Sequence, residues 1–381
     1  MQRRQLLQLT GATLATATLA PFMVNAGGKI SKALATDQPI KCNFNENALG
    51  MSPKARDAIK NTLDIGFRYP DDQRAELITA LAKKYMLEEN FISLGNGSSE
   101  NIQAIVQSQI IQAQKAGQAV QLVVPNPTFN YAELYAQAMN IPVVKVELTP
   151  EFTFDVAKLK QAAKNFNGVT IFYLCNPNNP TSTIIPAESL FTWIKKAPIN
   201  HFFVIDEAYA EFVTDKQFES AVKLVKEGIK NLAVTRTFSK LYALAGYRIG
   251  YLIAQPEIVV TAESLMALDN TNLAGAVAAL ASLQDPTFAT LSVKTIEASR
   301  QIVQNALIEL GLKYVPSNGN FIFHEIKGDV KTYQQRMKEM NIYVGREFLP
   351  IQGWNRLTLG TPEEMEMFVN VLKLFREKGW V

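Results

Sequence analysis

The chain has 381 residues, 48% of them hydrophobic and 19% charged, enough to bury a large core. Its 38 Lys+Arg oppose 35 Asp+Glu, and a net charge of +3 gives no electrostatic reason for a nucleic-acid partner. Cys42 and Cys175 are too few for a disulfide framework, and two histidines, His201 and His324, leave no basis for a metal site.

Arg3 and Arg4 are the only charges before Lys29. A mildly apolar run follows from Leu6 to Val24, closed by the small residues Asn25 and Ala26. A paired arginine before such a run is expected to be a twin-arginine export signal over 1–26, with a periplasmic or secreted product. The other readings are a membrane anchor or an ordinary amphipathic start in a cytoplasmic protein. Thr10, Gly11, Thr13, Thr16, Thr18 and Pro21 make the run a poor membrane span.

Residues 27–70 read as an irregular arm, with Pro39, Asn43, Asn45, Asn47, Gly50 and Pro53. Arg74–Met86 is an amphipathic helix pattern. Apolar strand runs then alternate with helical stretches such as Glu100–Ala116 and Tyr131–Met139. The strands are expected at Phe91–Leu94, Ala119–Val124, Val143–Val146, Val169–Leu174, His201–Ile205, Leu232–Thr235 and Ile249–Ile253. This alternation predicts an α/β domain over 71–257, a mostly parallel sheet sandwiched by helices. From 258 the texture changes to a smaller α+β domain ending at 381. It holds long helices over Ile258–Leu283 and Thr287–Leu310, then short strands at Asn320–His324, Ile342–Val344 and Arg356–Leu359. Pro362–Lys378 is the last helix.

Polar groups gather where the strand runs end. Leu94-Gly-Asn-Gly-Ser-Ser-Glu-Asn101 joins a strand to a helix, and Gly97 lets backbone approach a ligand closely. The amides of Ser98 and Ser99 then open the helix and suit a phosphate dianion, although the glycine spacing is no dinucleotide fingerprint. Pro125-Asn-Pro-Thr-Phe129 presents an aromatic ring that either stacks on a planar ligand or joins the core. Cys175-Asn-Pro-Asn-Asn-Pro-Thr181 projects the Asn179 amide from a proline-fixed loop, or is a plain Asn-Pro turn.

Asp206 ends the run His201–Ile205, where it can meet a protonated ring nitrogen or cap a helix; Tyr209 follows. Ser239-Lys240 lies just past the next strand, with Thr237 before it and Arg248 eight positions on. A lysine at the carboxyl end of such a strand faces the ligand crevice. It forms a Schiff base readily if burial and cationic neighbours lower its pKa.

Taken together these motifs resemble the fold-type I pyridoxal-phosphate (PLP) enzymes of aminotransferase class I/II. The nearest likeness is to the histidinol-phosphate aminotransferase branch, from about Asn43 onward. Asn43-Phe-Asn-Glu-Asn47, Arg68-Tyr-Pro-Asp71 and Arg356-Leu-Thr-Leu-Gly360 add to it. The resemblance implies a transaminase working on an amino acid and a 2-oxo acid, with Lys240 as imine lysine and proton shuttle. Asp206 would sit on the pyridine nitrogen, Asn179 and Tyr209 on the phenolic oxygen, and Phe129 against the ring. Gly97, Ser98, Ser99, Ser239 and Arg248 would cradle the phosphate.

The same resemblance has Tyr69 reach the cofactor of a second subunit in a homodimer, and Arg356 clamp the substrate carboxylate. Arg346 is a second substrate candidate, although its spacing from Arg356 departs from that of the branch. Ser182 also departs, standing where the family usually has glycine. A decarboxylase, lyase or cyclase on the same fold, or a non-catalytic binding protein, would carry much of the same pattern.

Overall fold

A computed structural model describes residues 38–381; the export-signal reading over 1–26 and the start of the arm lie outside the described residues. Strand β1 (Ile40–Cys42) opens the described chain. The central sheet uses β2 (Ile92–Asn96), β3 (Val120–Asn126), β4 (Val143–Glu147) and β5 (Val169–Cys175). It continues with β6 (His201–Asp206), β7 (Leu232–Thr237) and β8 (Ile249–Ala254). Their order is β2-β8-β7-β6-β5-β3-β4. β8 alone runs antiparallel to its neighbours, so the other six strands point the same way.

Helices supply a reason for the continuous apolar runs. The inner strands are buried along nearly their whole length, which a parallel sheet covered on both faces requires. Phe172 and Phe203 stack at 5.1 Å on adjacent strands, and Trp193 meets both edge-on from helix Ala187–Lys196.

The C-terminal part carries β9 (Tyr314–Val315), β10 (Phe321–Glu325), β11 (Ile342–Val344) and β12 (Trp354–Thr358). β12-β10-β9 form an antiparallel sheet, and β1 pairs in parallel with β11, so the arm is stitched to this region. Helices Pro286–Glu309 and Pro362–Glu377 pack together beside it. The second is started by a reciprocal capping box between Thr361 and Glu364.

Two sequence expectations need correction, and one short strand gave no signal. The arm is not irregular throughout, for it contains β1 and a helix, Pro53–Lys60, capped by Ser52. Its asparagines and prolines hid elements too short for a periodic signal. The expected helix Ile258–Leu283 is two, Pro256–Glu263 and Leu273–Leu283. Asp269 turns left-handed between them (φ 54), and the Asn272 side chain accepts the Gly275 amide at 2.6 Å to start the second. β9 is only two residues long and gave no signal at all.

Behind the sheet, Arg236 pairs with Glu207 and, at 2.9 Å, with Glu211; its side chain is 8% exposed and that of Glu207 1%. Ser220 Oγ and the Ala221 amide donate to the Glu207 carboxylate, both at 2.7 Å. Removing the cation strands a buried anion. Arg236→Met should therefore cost about 3–5 kcal/mol, read as a lower midpoint in urea unfolding. A wild-type midpoint would show that the pair contributes nothing.

Candidate active site

Because six central strands run in parallel, their carboxyl ends share one edge, and the polar strand-end groups collect there. They line a cavity of about 390 Å³. Around it stand Ser98, Ser99, Phe129, Asn179, Asp206, Tyr209, Ser239, Lys240, Arg248, Arg346 and Arg356, all singled out in the sequence. Gly97 adjoins it as the cap of helix Ser98–Lys115. Tyr69 does not line it; that side chain is 75% exposed on the arm.

One end of the cavity is built for an anion. Gly97 has φ 75 and no side chain with which to satisfy the first helix amides. Arg248, itself left-handed at φ 53, lays its guanidinium against that turn and donates to Ser99 Oγ at 3.0 Å. A Cβ on Gly97 would sit 2.2 Å from the Arg248 Nη2. Thr237 Oγ1 donates to Ser239 Oγ at 2.9 Å and accepts the Ser239 amide at 3.1 Å, presenting further hydroxyls on the same side.

The middle holds two opposite charges. Asp206 is 2% exposed. Tyr173 donates to its Oδ2 at 2.7 Å and Thr235 to its Oδ1 at 3.3 Å. Burial raises its pKa, opposed by those two donors. Lys240 Nζ donates to the Phe44 carbonyl at 3.2 Å. Burial first, then the nearby Arg356 cation, lowers the Lys240 pKa to about 8, against the pull of Glu46 and Asp206. Such an amine loses its proton near neutrality and becomes a nucleophile.

At the far end Arg356, on β12, donates to Asn179 Oδ1 at 2.7 Å and to the Asn43 carbonyl, while its buried Nε has no hydrogen-bond partner among the described residues. Phe348 stands between it and Arg346, with guanidinium carbons 5.0 Å and 4.4 Å from its ring. Phe129 meets Tyr131 with ring centroids 4.3 Å apart at the cavity wall. Ser182, the departure from glycine, adopts φ 61, and its hydroxyl accepts the Asn318 amide at 2.8 Å. That bond ties the Asn179 loop to the turn before β10.

Sequence reasoning gave no role to Asn45, Tyr173 or Phe348. Tyr173 looked like core because it sits inside an apolar strand. Asn45 acts through partners far away in the chain, which no local pattern reveals, and Phe348 sits in an irregular stretch between Arg346 and Arg356 with no periodicity to mark it.

An anion cup, a buried carboxylate, a lysine of lowered pKa and a half-satisfied arginine thus share one cavity at the carboxyl ends of the strands. The chain belongs to the aminotransferase class I and II family, whose profile matches residues 38–372. Within it the chain lies in the histidinol-phosphate aminotransferase branch. It is 33% identical over 346 residues to the histidinol-phosphate aminotransferase of Moorella thermoacetica, covering 91% of this chain and 87% of that one. A crystal structure from Erwinia carotovora atroseptica assigned to the same activity superposes with a TM-score of 0.87 at 40% identity, over 91% of this chain and 99% of that one. The Sinorhizobium meliloti histidinol-phosphate aminotransferase, solved with pyridoxal-5'-phosphate, shares the fold (TM-score 0.79, 24% identity, 90% of this chain and 91% of that one). The protein is a PLP-dependent transaminase acting on an amino acid or related amine and a 2-oxo acid. Among the described residues no helix is long and apolar enough to cross a membrane.

Proposed function

We propose that Lys240 is the residue that binds the cofactor covalently and then moves the proton at the substrate Cα. The observation that carries this is the placement of its lowered-pKa amine in the cavity that also holds Asp206 and the Arg248 anion cup. When bound, the cofactor supplies a conjugated ring that takes up the electron pair left as that proton departs. Asp206 keeps the ring nitrogen protonated. Asn179 and Tyr209 hold the phenolic oxygen, and Phe129 covers the ring. Gly97, Ser98, Ser99, Ser239 and Arg248 hold the phosphate.

Arg356 orients the substrate through its carboxylate, and Arg346 at the exposed rim receives the substrate's outer end. Borohydride reduction of the loaded enzyme followed by peptide mapping tests the assignment; label on any lysine but Lys240 sinks it. A panel of amino acids, read by the change in cofactor absorbance and by keto-acid release, identifies the donor.

Gly97→Ala tests the phosphate cup. The added methyl meets the Arg248 guanidinium at a left-handed backbone position. Cofactor affinity of the apoenzyme should fall at least about tenfold, from one weakened charge-assisted contact; an unchanged affinity would remove Gly97 and Arg248 from the cup.

The working enzyme is proposed to be a homodimer. Leu63, Ile65, Phe67 and Tyr69 leave an apolar run 40–75% exposed on the arm, which a second subunit would cover. Tyr69 would then reach the partner's cofactor phosphate. A monomer in sedimentation at assay concentration contradicts this. Residues 1–26 are proposed to direct export after cofactor loading, with the large and small domains dividing near residue 258. Arg3→Lys with Arg4→Lys should leave precursor in the cytoplasm; equal export of both forms would reject the signal.

A further inference from the structure

We infer that Asn45 is a positioning residue that commits the Tyr209 hydroxyl to donate its hydrogen into the cavity, and that β12 sets this through Thr358. The inference rests on the reading of Tyr209 as a donor to the cofactor oxygen.

A phenol has one hydrogen to give and two lone pairs to receive. At Tyr209 two amides donate to the oxygen, Asn45 Nδ2 at 3.1 Å and Asn179 Nδ2 at 3.4 Å. With the lone pairs engaged, the phenolic hydrogen must point elsewhere. Tyr209 is 4% exposed and lines the cavity, so the cavity is where it points. An acceptor there finds a donor already oriented and has no reorganisation to drive.

The direction of each amide is itself fixed. Asn179 Oδ1 accepts from Arg356 Nη1 at 2.7 Å, which turns its NH2 toward Tyr209. Asn45 Oδ1 accepts from Thr358 Oγ1 at 3.0 Å, and Thr358 Oγ1 in turn accepts the Asn45 backbone amide at 2.9 Å. A flipped Asn45 would set its NH2 against a hydroxyl already oriented to donate and its oxygen against a phenol forced to reverse. Asn45 is 1% exposed and holds φ 54, a left-handed conformation in which asparagine is favoured among residues with side chains. Its carbonyl accepts from Asn320 Nδ2 at 3.0 Å, so the residue is held from both sides.

Arg356 and Thr358 both stand on β12. One strand therefore carries both groups that aim the amides at Tyr209, and one of them, Arg356, is also the group proposed to bind the substrate carboxylate. A shift of β12 on substrate binding would reach the Tyr209 hydrogen through Asn179 and Asn45 together. Asn45, which also lines the cavity, acts here through Tyr209, to which its amide donates.

The test is a pH titration of the visible absorbance of the lysine-bound cofactor, in a double-mutant cycle. A donor to the ring oxygen favours its anionic form and lowers the midpoint. Tyr209→Phe should raise the midpoint by about one pH unit or more, as expected for losing a bond to a charged group. Asn45→Ala should raise it by at least about half a unit, because the hydroxyl is then free to turn. In the Tyr209→Phe background Asn45→Ala should add nothing. Thr358→Val, which keeps the side-chain shape, should shift the midpoint the same way and covers the case where Asn45→Ala folds poorly. Additive shifts, or wild-type midpoints in Asn45→Ala and Thr358→Val beside a shifted Tyr209→Phe, overturn the inference alone. A wild-type midpoint in Tyr209→Phe sinks both the inference and the parent reading.

Discussion

Lys240→Ala is expected to lower kcat/KM for transamination about 10⁴-fold or more, since one change removes both the covalent anchor and the proton carrier. Fold stability should hardly change. Among the described residues the ammonium makes a single hydrogen bond, to the Phe44 carbonyl, and burial, which lowers its pKa, penalises its charge. The variant should also lack the visible absorbance of the lysine-bound cofactor. In the wild type, covalent loading of the apoenzyme should speed up as pH rises through about 8, where Nζ loses its proton. Activity within about tenfold of wild type in Lys240→Ala, with the label still on another lysine, would assign the chemistry elsewhere.

The strand ends show how far a sequence can be read and where it stops. All seven strands of the central sheet were expected, because burial on both faces leaves long apolar runs. Yet β5, β6 and β7 run on past their expected ends to Cys175, Asp206 and Thr237, all of which line the cavity. The apolar signal fails at the residues that turn toward the cavity, so polarity at a strand end marks the site rather than the end of the strand. The motif residues were legible because each sits beside such an end. Their cross-links were not. Asn45 is 313 positions from Thr358 and 164 from Tyr209, and Arg356 is 177 from Asn179. The Arg236 pair was hidden for another reason: Glu207 lies just past the end of β6, beyond the apolar run that marks the strand.

Asp206→Asn should separate activity from stability. The carboxylate lies at the sheet edge, with donors from Tyr173 and Thr235 and with burial raising its pKa. The fold therefore bears a penalty wherever the group is ionised, and the penalty fades as pH falls through the folded pKa. That is the reverse of a salt-bridged carboxylate. An amide keeps the shape and still accepts from Tyr173, so the apoenzyme should melt at the wild-type temperature or above it at neutral pH. Catalysis should suffer in the opposite sense. A neutral amide cannot hold a proton on the ring nitrogen, and losing one preorganised charge at the reacting system lowers kcat/KM about 10³-fold. Asp206→Glu, which keeps the charge, should recover part of that loss despite crowding. If Asp206→Asn instead melted well below wild type and lost activity only in proportion, the carboxylate would be a structural cap. The charge buried beside Lys240 would then need another explanation.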